Sequence, residues 1–143
     1  MFEIRPCCSG DFGGVMALLG QLWPGQSLYC DALRCVFQRV LSSQSQAYVC
    51  AVDDDEIIGF CSLTVKNNLW QQGYLGHIDE LVVHGEHRGR GIGTQLVERI
   101  ICLAKERGCR RVELDTAFHR KEAHDFYERA GFEKRGYIFS KLL

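Results

Sequence analysis

No apolar run in this sequence is long enough to cross a bilayer. Val15–Leu19 and Ile100–Ala104, among the longest, fall far short of the ~20 residues required. The start, Met1-Phe2-Glu3-Ile4-Arg5-Pro6, has no basic segment followed by an apolar one. It does not read as a signal peptide, and the cytoplasm is the expected location. Neither sign of charge is in excess. Lys and Arg number 17 against 18 Asp and Glu, for a net charge of −1. That balance removes any bulk pull toward nucleic acid or a membrane surface, so a charged ligand must be handled locally. Cys-x-x-Cys pairs are missing as well, although there are eight cysteines. With no secretory signal they read as reduced thiols, with Cys50, Cys61 and Cys102, each inside an apolar run, serving as small core residues. His84-x-x-His87 and His119-x-x-x-x-His124 come nearest to ligand spacing, and neither makes a metal set; no metal site is expected.

What remains is ordinary globular composition, 46% hydrophobic and 24% charged. A chain of 143 residues buries roughly 68–70% of its unfolded surface, enough for a core without staples, and residues 1–143 read as one domain. Phe2 and Ile4 alternate with polar residues as a short strand ending at Pro6. After Ser9-Gly10-Asp11, the stripe Val15, Leu18, Leu19, Leu22 predicts a helix stopped by Trp23-Pro24-Gly25. A second helix from Asp31 carries Leu33, Val36, Phe37, Val40 and Leu41 on one face. Ala47–Val52 and Ile57–Val65 predict a hairpin about the acidic turn Asp53–Glu56, and a polar loop, 67–73, leads to a strand at Tyr74–Val83. A helix with Ile92, Leu96, Ile100 and Leu103 follows, then a strand at Arg111–Thr116 and a helix with Ala123, Phe126, Tyr127 and Ala130. The tail Phe132–Leu142 has the pattern for one or two more strands. The order β-α-α-β-β-β-α-β-α-β(-β) is that of a mixed α/β (α+β) sheet, not a doubly wound one.

Between the strand end Leu81-Val82-Val83 and the following helix lies Arg88-Gly89-Arg90-Gly91-Ile92-Gly93-Thr94. Three glycines let successive backbone N–H groups converge on an anion, and the helix N-terminus adds partial positive charge. Arg88 and Arg90 can add charge-assisted hydrogen bonds to phosphate oxygens. Gly93-Thr94 lacks the lysine of a P-loop, and the glycine spacing and late position do not fit a dinucleotide fingerprint. Arg-x-x-Gly-x-Gly remains, either an anion cradle or a turn without a ligand.

Arg88–Gly93 resembles motif A of the GNAT superfamily of N-acetyltransferases. Ala123-x-x-Phe126-Tyr127-x-x-x-Gly131-Phe132 resembles its second signature, and the element order matches that fold over essentially the whole chain. Gly76–Val83, Arg120–Tyr127 and Phe139–Leu142 are most similar to the aminoalkylphosphonate N-acetyltransferases. The resemblance implies an enzyme that uses acetyl-CoA. Its pyrophosphate would lie on the amides of Arg88, Gly89, Arg90, Gly91, Ile92, Gly93 and Thr94, and its pantetheine arm along the backbone of Leu81, Val82 and Val83. Arg120 stands where many members carry a cofactor-holding Asn, and an arginine there could reach a phosphate.

Direct transfer to an amine needs a base for the ammonium proton and an acid for the departing thiolate. Glu80 is the first candidate base, since a carboxylate in the apolar run Ile78–Val83 is costly unless paired or used. By strand alternation Asp79 is expected on the opposite face from Glu80. His77 and Glu113 occupy base positions of other members and stay open as alternatives. Tyr127 is the candidate acid. A small-molecule amine is the expected acceptor, with a protein N-terminus or lysine, or a non-catalytic acyl-CoA sensor, as alternatives. No nucleic acid or membrane partner is expected, and a homodimer is compatible with the family. A phosphonate acceptor would need a cationic anchor, for which Arg34, Arg39, Lys66 and Arg135 are available.

Overall fold

The computed structural model describes all residues, 1–143. Its elements are β1 (Glu3–Pro6), α1 (Phe12–Leu22), α2 (Cys30–Leu41), β2 (Gln46–Asp53), β3 (Glu56–Asn68), β4 (Gly73–Val83), α3 (Ile92–Glu106), β5 (Cys109–Leu114) and α4 (Lys121–Arg129). Short 3-10 turns at Ser9–Asp11 and Gly85–His87 introduce α1 and the glycine-rich segment. The strands form one five-stranded sheet in the order β1-β2-β3-β4-β5. β1 to β4 are antiparallel neighbours, whereas β4 and β5 are joined through the α3 crossover, the kind of connection that goes with parallel strands. The mixed α/β class expected from the sequence is the class observed.

The chain divides into two compact units, Met1–Glu113 and Leu114–Leu143. In the first, the sheet is covered on both faces. Phe60 packs in a buried cluster with Phe12, Val15 and Leu18 of α1 and Phe37 of α2. Its neighbour Gly59 faces the other way, where a Cβ would come within 2.9 Å of both Ile92 and Leu96 of α3. Alternation along β3 thus divides one strand between two helical layers. The β2–β3 turn is tight, with Asp54 and Asp55 at φ of 47° and 64°, the left-handed pair that matches the twist of a two-residue hairpin.

Two expectations are corrected. Cys50 and Cys61 are fully buried, but Cys102 is exposed, because α3 turns its Ile100 and Ala104 stripe inward and residue 102 lies off it. The tail also forms no strand: residues 133–143 are all exposed and in no helix or strand. A strand exists only as part of a hydrogen-bonded ladder, and alternation in a sequence supplies no partner. In the second unit α4 is followed by Gly131, and Phe132 N–H donates to Tyr127 C=O at 2.9 Å.

Candidate active site

The register between β3 and β4 slips once. Cys61 pairs with Leu81, but Leu63 pairs with Ile78, so two residues of β4, Asp79 and Glu80, lie opposite the single residue Ser62. This is a β-bulge, and the extra residue breaks alternation. Asp79 bonds to Thr64 and to His77 Nδ1 (2.8 Å), while Glu80 joins Tyr48 and Phe60. Phe60, Ser62 and Thr64 share one face of β3, so both carboxylates lie on the α1/α2 face of the sheet. That differs from the opposite-face expectation. The Glu80 N–H, displaced from the ladder by the bulge, donates instead to Ser62 Oγ at 2.8 Å. Ser62 is 1% exposed, a buried hydroxyl whose bond holds the bulge in place.

The electrostatics follow from that geometry. Burial, then the Asp79 charge, pushes the Glu80 carboxyl up to about 7, with the Ser62 hydroxyl opposing. Burial also raises Asp79, but hydrogen bonds from His77 and Thr64 outweigh it and the net shift is downward. The two neighbours are thereby pushed apart: one carboxyl is held ionised, and the other is poised near neutrality. Tyr48, paired in register with Ser62, is pushed up to about 12 by burial and by Glu80. A narrow cleft of about 70 Å³ opens onto Glu80 between α1, α2 and the sheet, with Trp23 and Phe37 among its walls. Trp23 read from sequence only as a helix end. Trp70 is 82% exposed at the β3–β4 turn.

Beyond β4 the glycine-rich turn has the geometry its sequence implies. Gly89 and Gly91 have φ of 80° and 78°, with nothing within 4 Å of a would-be Cβ. They are required by backbone conformation, not by crowding. The α3 ladder begins with Gln95 N–H to Gly91 C=O (3.1 Å), so the N–H groups of Ile92, Gly93 and Thr94 precede the first intrahelical bond and point outward from the helix start. Arg88 is exposed. The guanidinium of Arg90 donates to Asp53 (3.0 Å), lies 2.7 Å from His87 Nδ1 and stands over Phe2. That bond, then the N-terminal ammonium, holds Asp53 below the usual carboxylate range.

The sequence pattern of the Acetyltransferase (GNAT) family matches residues 15–132. The chain belongs to that family. Among its relatives is the aminoalkylphosphonate N-acetyltransferase of Salmonella typhimurium (strain LT2), 33% identical over 141 residues that cover 99% of this chain and 91% of the relative. Among solved structures, glucosamine-6-phosphate N-acetyltransferase from Arabidopsis thaliana superposes with a TM-score of 0.85 at 27% identity, covering 99% and 98% of the two chains. An aminoglycoside N-acetyltransferase in complex with CoA shares the fold at a TM-score of 0.89 and 23% identity, covering 99% and 95%.

Acetyl-CoA is the acyl donor of GNAT enzymes. The residues of this acetyltransferase fit its pyrophosphate on their own chemistry: outward N–H groups at a helix start, two obligatory left-handed glycines, and open space where side chains would intrude. Contacts at Gly73 and Gly76 seat β5 against the first half of β4, and Leu81, Val82 and Val83 lie beyond them. In the C-terminal unit, Arg120 is the residue before α4 and Tyr127 is half-buried, edge-on to Phe126 (5.4 Å) and Phe132 (5.9 Å). Glu113, the other candidate base, is exposed on β5. A buried group missed by sequence spacing brings Cys7, Asp11 and Cys50 within 4.8 Å of one another. Asp11 already accepts two bonds from Arg5 (2.7 and 2.9 Å) and one from Cys8 N–H (2.8 Å), which makes the group a polar tie between β1 and β2.

Proposed function

We propose that this chain moves the acetyl group of acetyl-CoA to the primary amine of a small molecule by direct attack, with Glu80 as general base and Tyr127 as general acid. The observation that carries the reading is a half-buried carboxylate raised to about 7 at the foot of a cleft. A base poised near the working pH is both ionised enough to accept a proton and basic enough to take it from an ammonium. Asp79, held down by His77 and Thr64, is the weaker base. Bound acetyl-CoA supplies the thioester. Glu80 takes one proton from the ammonium, the freed amine forms an N–C bond as the C–S bond breaks, Tyr127 O–H protonates the departing sulfur, and the second proton on the nitrogen is lost as the amide forms and restores the phenol through solvent. The amides of 88–94, the backbone of Leu81–Val83 and the Arg120 side chain hold the coenzyme in this reading.

The relatives named for aminoalkylphosphonate and glucosamine 6-phosphate support a small amine over a protein acceptor. The family match runs across both units, which supports residues 1–143 as a single acetyltransferase domain. No helix is long and apolar enough to cross a membrane, and the reading places the enzyme in the cytoplasm, alone or as a homodimer, with no nucleic acid partner. The test is free-thiol release from acetyl-CoA against a panel of small amines, N-terminal peptides and lysine peptides, followed over pH. Turnover on small amines, with kcat/KM rising through an apparent pKa near 7, is the expected result. Coenzyme binding without turnover on any amine would reduce the chain to a sensor.

A further inference from the structure

Asp53 and Glu56 flank the β2–β3 turn and do not line the cleft at Glu80, yet their side chains reach the glycine-rich turn. Arg90 lies there between Gly89 and Gly91, both at left-handed φ, and residues 88–91 are all exposed. The backbone is anchored on either side. His84 N–H donates to Ile58 C=O (2.8 Å) and Gly85 N–H to Gln21 Oε1 (2.9 Å), while Ile92 is 1% exposed at the start of α3. Between those anchors no backbone N–H of residues 88–91 has an acceptor in the chain, and two glycines leave the segment a wide choice of conformations. The side chain that ties it down is that of Arg90. It donates to Asp53 (3.0 Å) and to His87 Nδ1 (2.7 Å), and His87 Nε2 lies 3.9 Å from Glu56. A guanidinium only donates, so Nδ1 accepts and Nε2 carries the imidazole proton toward Glu56.

We propose that Asp53 is a positioning residue for acetyl-CoA: with Glu56 and His87 it holds Arg90, and through Arg90 it holds the 88–91 backbone in the shape that presents N–H groups to the pyrophosphate. The inference rests on the reading that places the pyrophosphate on residues 88–94. Apolar burial does not fix this turn, since its residues are exposed. A turn that samples many shapes binds an anion in only a fraction of them, and its apparent affinity falls by that fraction. A side-chain clamp orders the backbone before the coenzyme arrives and leaves every N–H group free to donate to it. Two roles for Arg90 give opposite expectations. Were its guanidinium a phosphate ligand that Asp53 holds back, removing the Asp53 charge would strengthen coenzyme binding. With Arg90 as the clamp, the same change weakens it.

The experiment measures the Kd of coenzyme A by calorimetry on the whole chain, well below the Tm of every variant so that unfolding does not enter. Asp53→Asn is expected to raise Kd roughly three- to tenfold. Asp53→Glu keeps the charge and should stay within about twofold of the parent. Asp53 also lies 3.6 Å from the N-terminal ammonium, and a double variant isolates the share that runs through Arg90. Asp53→Asn combined with Arg90→Gln should bind within about twofold of Arg90→Gln alone, because both changes remove one link. An unchanged or lower Kd in Asp53→Asn overturns the inference, and so do losses that multiply in the double variant. Gly91→Val separates the inference from the reading beneath it. Weaker binding in Gly91→Val with none in Asp53→Asn sinks the clamp and leaves the coenzyme turn standing. No effect of either variant takes the coenzyme away from this turn and sinks both.

Discussion

The two ends of the segment from Asp79 to Thr94 handle polarity in opposite ways. At the bulge, a charge is carried into an apolar cleft and kept there by one serine hydroxyl, so that its proton affinity is shifted. At the glycine-rich turn residues 88–91 are all exposed and no side chain is needed as a ligand; left-handed glycines and a helix start display the backbone itself. In the function proposed above, the first device would act on a proton and the second on a fixed negative charge. One lesson is that substitutions at the two ends should separate chemistry from coenzyme binding.

The largest effect is expected from Glu80→Gln, which keeps the shape and removes the base. Its kcat/KM for a small amine should fall 100-fold or more, with coenzyme A affinity within twofold by calorimetry. The same variant should be more stable at pH 8 than the parent. A carboxyl raised on folding binds more protons in the native state than in the unfolded one, so ionisation through the window from its ordinary value up to about 7 costs stability. A Tm increase of roughly 3–8 °C at pH 8, shrinking toward pH 5, is the expected outcome in a thermal melt. An equal loss of coenzyme affinity would break the division of labour.

Tyr127→Phe should behave like the bulge end and unlike the turn. A tenfold or larger fall in kcat with little change in coenzyme KM is expected, and unchanged turnover rules out the acid role. Gly91→Val should do the reverse. A β-branched residue is poorly accommodated at φ of 78°, so KM for acetyl-CoA should rise about tenfold while kcat at saturation holds within a few-fold. Smallest in activity is Ser62→Ala. The Glu80 N–H then loses its acceptor and the carboxylate a donor, which costs about 1–3 kcal/mol of stability and moves the limb of the pH profile upward. A loss of stability with an unmoved limb would make Ser62 a purely structural tie.

Much of the fold was legible because its signals are local. Val15, Leu18 and Leu19 recur at helical spacing and are buried, and Asp53–Glu56 sits at a tight turn where the acidic run suggested one. Gly89 and Gly91 announced a left-handed turn before a helix, and that conformation is what they adopt. Glu80 stood out as a carboxylate inside an apolar run, and it lies in the cleft. The illegible part is where residues far apart in the chain meet. Arg90 read from the sequence as a cation beside the turn, and its bond to Asp53 of the neighbouring hairpin was not visible there. Tail residues 133–143 alternate suitably and still form no strand. Cys7, Asp11 and Cys50 have no telling spacing, because their meeting depends on how β1 pairs with β2.

By itself, then, the sequence determined the family, the order of elements as far as α4 and the left-handed glycine turn before α3, because periodicity and glycine placement act over a few residues. The tertiary structure alone decided which face the two carboxylates share, how far Glu80 is shifted and which side chains surround it. Alternation predicts opposite faces for Asp79 and Glu80; a single extra residue in the β3–β4 register puts them together. Register is settled between strands, and no short stretch of either strand contains it.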